Sequence, residues 1–161
     1  MRYSLVAICL LGSPVLAATH EHGLATASIA LDDGHLVIEL RAPAADFIGF
    51  EHRPVTLDEK RELAGVLNVL RNGEALFLMP PEAHCRMNSA AVSPPAWGAD
   101  GHASLEAFWD FRCGSPAMLT WIETRTFATF PGNSRLTTSV VTGTGQKSVV
   151  LTPGTTRLLM P

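Results

Sequence analysis

From Leu24 to Leu31 small and apolar residues alternate, Asp32-Asp33-Gly34 interrupts them, and the alternation resumes as Leu36, Ile38 and Leu40 against Val37, Glu39 and Arg41. Strand side chains point to opposite faces with period two, and an Asp-Gly turn between two such runs is a strong short-range hairpin signal. The ribbon ends at Ala42-Pro43-Ala44-Ala45. One of its faces is apolar and needs a cover.

The cover is a helix. Thr56 and Glu59 have capping-box spacing, and Leu63, Val66, Leu67 and Leu70 follow at i, i+3, i+4, i+7 before Asn72-Gly73 stops the pattern. Ala83 to Met87 reads as a short strand holding Cys85. Residues from about 88 to 104, rich in Pro, Ala, Ser and Gly, have no period and read as an exposed, flexible loop. Alternation returns with Leu105, Ala107, Trp109, Phe111 and Cys113 on one face. Short Thr/Val/Leu-rich segments at Met118 to Thr124, Leu136 to Thr142, Lys147 to Leu151 and Thr156 to Met160 read as a C-terminal β-meander. The fold class is therefore α+β, mainly antiparallel β-sheet with an N-terminal hairpin, one amphipathic helix and that meander.

Ahead of the hairpin, Arg2 precedes the apolar run Tyr3 to Leu11, then Gly12-Ser13-Pro14 and Val15-Leu16-Ala17. A charged start, a short apolar core and small residues at the cut describe a signal peptide, residues 1–17, and imply the periplasm. The run falls short of the ~20 apolar residues that span a bilayer. A cut after Ala17 is expected, with Ala18 as the alternative, and residues 18–161 remain as a single domain. The 12 basic and 15 acidic residues leave a net charge of −3, one unit more negative once Arg2 departs. That balance, with no basic cluster, speaks against nucleic acid and anionic lipid as partners. Cys9 leaves with the signal. Cys85 and Cys113 then form an even pair in an oxidising compartment, which reads as one disulfide closing about 29 residues and worth roughly 3 to 4 kcal/mol. Two thiolate metal ligands are the rival reading.

His20-Glu21-His22-Gly23 stands directly before the first strand. In extended backbone residues i and i+2 share a side, so both imidazoles face one way, and imidazole nitrogen suits zinc, copper and nickel. A tight zinc site needs at least three protein donors, so others must come from elsewhere. A cut after Ala17 would also leave Ala18-Thr19-His20 at the terminus, where the amine, two amides and His20 suit square-planar copper or nickel. Glu51-His52 is the next candidate pair. His84, beside Cys85, and His35, after the hairpin turn, are weaker, and Asp100-Gly101-His102 could clamp an ion loosely. No Gly-x-Ser-x-Gly, His-Glu-x-x-His or phosphate-binding glycine loop occurs, and the expectation is a protein that is not an enzyme.

The ordered set His20-Glu21-His22-Gly23, Ala42-Pro43-Ala44, Gly49-Phe50-Glu51-His52, Cys85, Trp109-Asp110-Phe111-Arg112-Cys113, Phe127 to Phe130-Pro131 and Gly145-Gln146 resembles the ZrgA-like periplasmic zinc-binding proteins. The likeness covers nearly all of the chain after the signal. It implies a protein made under zinc shortage that binds zinc and assists an importer, with His20, His22 and His52 as ligands and Glu51 as ligand or supporting carboxylate. One departure stands out. Better-known members carry a His- and Asp-rich run between the cysteines, whereas Arg86 to Arg112 here holds the single histidine His102, so one ordered site or none is expected rather than a store of many ions. The resulting expectations are a monomeric zinc-handling protein whose partner is a periplasmic zinc-importer component. The alternatives are a copper or nickel binder using His20, and a non-metal interaction module of the envelope.

Overall fold

The computed structural model describes residues 22–98 and 103–161. The expected signal peptide with Cys9, and His20, Glu21, Asp100 and His102, lie outside them. The opening ribbon forms as its alternation requires. Strands β1 (Leu24–Asp32) and β2 (His35–Pro43) pair antiparallel, and Asp33 and Gly34, with φ of 44° and 76°, make the left-handed turn between them. Alternate residues Ala25, Ala27, Ile29, Leu36, Ile38 and Leu40 are buried on one face.

Helix α1 (Ala45–Ile48) is a single turn after β2, and α2 (Leu57–Leu70) is the helix the capping signal marks. Thr56 Oγ1 accepts from the Glu59 amide at 3.2 Å, and Glu59 Oε2 takes the Thr56 and Val55 amides at 2.9 and 2.8 Å. Val66, Leu67 and Leu70 are buried. The far end of α2 is pinned by Trp109, whose indole N–H donates to the Leu70 carbonyl at 2.7 Å. Helix α3 (Gly73–Leu76) then passes so close that a Cβ at Gly73 would lie 2.5 Å from the Trp109 ring. It leads into the two-residue strand β3 (Phe77–Leu78), where Phe77 meets Trp109 edge to face at 4.9 Å.

The stretch expected as a loop over 88–104 is mostly strand. β4 (Cys85–Trp97) pairs antiparallel with β5 (Ala103–Cys113), and residues 99–102 between them lie outside the described set. β4 is one edge of the sheet, and its register slips between Met87 and Ser89 and again between Ser93 and Ala96. Asn88 sits at the first slip and Pro94-Pro95 at the second, where a missing N–H breaks no ladder bond. Each slip reverses the inside-outside phase, which is why no period shows in the sequence. At the other end of β4 Cys85 stands opposite Cys113, and the two form the expected disulfide.

The C-terminal strand series is shared between two sheets instead of running as one meander. β6 (Trp121–Thr124), the one-turn helix α4 (Thr126–Thr129), β7 (Arg135–Thr142), β8 (Gly145–Leu151) and β9 (Arg157–Leu159) follow in order. The large sheet runs β4-β5-β2-β1-β7-β8, and β1 and β7 lie parallel in it. The small sheet is β3-β6-β9. Ala27, Ile29, Leu136 and Leu151 of the first meet Phe77, Ile122 and Leu158 of the second around a narrow internal gap. Among the described residues no helix is long and apolar enough to cross a membrane.

Candidate metal centre

The point where β1 begins is held from both sides through one residue. Gly23 donates its N–H to Asp46 Oδ2 at 2.8 Å, and its carbonyl accepts from the Ser134 and Arg135 amides, both at 2.9 Å, and from Ser134 Oγ at 3.1 Å. Only glycine serves there. Its φ is 77°, and a Cβ would fall 2.6 Å from Ser134 Oγ. Asp46 sits in α1, and the adjoining loop presses against it so closely that a Cβ on Gly132 would lie 2.5 Å from the Asp46 carbonyl oxygen. Beyond α1, Gly49 turns left-handed and sends the chain through Phe50 and Glu51 back toward the start of β1.

His22, one residue before this clamp, consequently has a defined surrounding. Its Nε2 lies 3.0 Å from Glu51 Oε1, while its Nδ1 faces Asp46 Oδ1 at 3.7 Å. The imidazole and the Glu51 carboxylate are open to solvent, at 59% and 42% side-chain exposure, whereas the Asp46 side chain beneath them is 5% exposed. Burial pushes the Asp46 carboxyl above its ordinary range, against the lowering effect of the Gly23 amide and the neighbouring His22.

His52 turns to other partners. Its ring stacks on Phe50 at 5.3 Å, which in turn stacks on Trp97 at 6.4 Å. His52 Nε2 lies 3.5 Å from Glu59 Oε1, and Nδ1 is 3.1 Å from the Arg53 carbonyl. Glu59 thus caps α2 and meets His52 with one carboxylate, and the Thr56 and Val55 amides hold it below the usual range. Of the four expected ligands the structure brings His22 and Glu51 together, engages His52 at the cap of α2, and does not describe His20. Among the described residues no three His, Cys, Asp or Glu side chains form a group that could hold a metal ion.

The weaker candidates have structural neighbours of their own. His35 Nδ1 is 3.8 Å from Asp110 Oδ1, and Asn88 donates to the other oxygen of Asp110 at 2.6 Å. His84 Nδ1 meets Ser115 Oγ at 3.4 Å. Both cysteines are consumed by the disulfide, so thiolate ligation is out. Asp46 is the residue the sequence reading missed. Its one signal is an acid set in the otherwise apolar run Ala-Pro-Ala-Ala-Asp-Phe-Ile.

An imidazole and a carboxylate touching at a fixed point are a nitrogen and oxygen donor pair of the kind zinc accepts, and a carboxylate behind the imidazole is the usual support of such a ligand. Two donors remain fewer than a tight site requires. Residues 19–160 match the family model described as ZrgA family zinc uptake protein. No curated protein matches the chain.

Proposed function

The chain belongs to the ZrgA family of zinc uptake proteins, and on that footing we propose that it is an exported accessory protein that binds zinc in the periplasm and passes it toward an importer. The observation that supports this most directly is the contact of His22 Nε2 with Glu51, at 3.0 Å, on a strand start fixed by Gly23. Those two side chains are the ligands we assign first. His20, two residues ahead of His22 in the sequence, is the third we propose. The donor set is nitrogen and oxygen only, since the cysteines are joined. It is an ion-holding arrangement, and we assign the chain no catalysis.

Zinc competition against a chromophoric chelator, on protein taken from the periplasm, tests the reading. The parent should bind one zinc ion. Replacing His20 and His22 together by Ala should abolish tight binding, since one remaining donor cannot displace the hydration shell. Glu51→Gln, which removes one of three donors, should weaken it severely, and His52→Ala less, because His52 meets Glu59 at the cap of α2. A double histidine variant that titrates zinc like its parent would overturn the assignment. Mass spectrometry of the exported N-terminus, with copper and nickel run in parallel, separates zinc from the terminal-amine chemistry.

A further inference from the structure

Nothing in the assignment above gives Asp46 a part, although a carboxylate this deeply buried is an unfavourable thing to keep. Resting on the zinc reading, we infer that Asp46 is the positioning residue of the site: tied to Gly23 and seated behind His22, it aims the imidazole at Glu51 and raises zinc affinity without touching the ion.

The division of its two oxygens carries the inference. Oδ2 is taken by the Gly23 N–H at 2.8 Å, which fixes where β1 begins and so where His22 stands. Oδ1 is left facing His22 Nδ1. A neutral imidazole that ligates through Nε2 must carry its proton on Nδ1, and that proton then points at Asp46, where an anion stabilises it and strengthens the donor. The carboxylate itself is 5% exposed and lies on the Nδ1 side of the ring, so Glu51, on the Nε2 side and open to solvent, is the one that can meet an arriving ion. Gly132 keeps the arrangement from relaxing, because its backbone fits against Asp46 with no room for a Cβ.

Asp46→Asn is the informative change. It removes the charge facing His22 and retains an oxygen that accepts from the Gly23 amide. Zinc affinity should fall about 10- to 100-fold in Asp46→Asn. In a His22→Ala background the same change should cost nothing further, because the residue acts through His22. Long-range nitrogen-proton spectra of the zinc-loaded parent should show the metal on His22 Nε2 and the proton on Nδ1. An Asp46→Asn protein with parental affinity would overturn the inference. So would an undiminished loss in the His22→Ala background, which would make Asp46 a ligand in its own right. Zinc on Nδ1 would overturn it too, and that measurement needs no variant to fold. If His22→Ala binds zinc as tightly as the parent, the zinc site itself is wrong; if only Asp46→Asn is silent, the site stands and the positioning role does not.

Discussion

Asp46 and Glu59 are both carboxylates that accept backbone N–H bonds, yet they act on stability in opposite senses. Asp46 is raised by burial, so the folded protein holds its proton more firmly than the unfolded chain does. Its contribution is therefore most favourable below the ordinary aspartate range and is lost as pH climbs through the folded value. Asp46→Asn should accordingly have a higher thermal midpoint than the parent at pH 7, with the difference shrinking as pH is taken down toward about 4. A midpoint several degrees lower at pH 7 would contradict this. Glu59 is lowered by the Thr56 and Val55 amides, so what it contributes is present above the unfolded value and disappears as pH falls through the folded one. Protection of the Val55 and Thr56 amides from exchange, taken relative to their intrinsic rates, should fall in acid before the core opens. On the proposed zinc reading, site and fold ask opposite things of Asp46, which Gly23, Gly132 and His22 hold in place.

Helix α2 is the element whose boundaries follow from chemistry at single positions. Thr56→Ala removes the side-chain half of its cap and should cost about 1 kcal/mol in chemical denaturation. At the opposite end Trp109→Phe leaves the Leu70 carbonyl buried without its donor and should cost roughly 1 to 3 kcal/mol. The cap was legible in the sequence because Thr56 and Glu59 are three residues apart, while the Trp109 bond joins residues 39 apart and leaves no local mark. The β1–β2 hairpin was legible for the same reason as the cap, since its period and its Asp-Gly turn are local. β4 was legible only at its start, by Cys85 to Met87, because beyond it an edge strand with a solvent face and two register slips loses the alternation that identifies strands. The candidate site divides along the same line. His22 and Glu51 could be singled out as donors, but their contact depends on the left-handed turn at Gly49 and on the clamp at Gly23. Asp46 offered only its place in an apolar run, too weak a signal to single it out, because a lone acid in one helical turn ordinarily sits in water.

Across the whole molecule two long connections hold the large sheet together, and they act at different places. Parallel pairing of β1 with β7, Leu24 opposite Arg135, closes most of the chain and brings Ser134 and Arg135 to Gly23. The disulfide of Cys85 and Cys113, 28 residues apart, closes a much shorter loop. It lies by the turn of the β1–β2 ribbon, since Cys113 donates to the Gly34 carbonyl, whereas His22 and Gly23 stand at the ribbon's other end. Replacing both cysteines by serine should cost about 3 to 4 kcal/mol in urea denaturation on the chain-entropy account. That is a large part of the 5 to 15 kcal/mol typical of a domain, but the β1–β7 closure and the core around Trp109 do not depend on it, so the protein should remain folded at room temperature. Amide exchange should rise along β4, whose single pairing partner is β5, and stay near parental values in β7. Because the bond is remote from Gly23, zinc affinity should change by less than about twofold, which is under 0.5 kcal/mol. A protein with Cys85 and Cys113 replaced that stays folded but shows weaker zinc binding than its parent would show that the strand start is not fixed locally by Asp46 and Ser134, and that the site draws its order from the far end of the sheet.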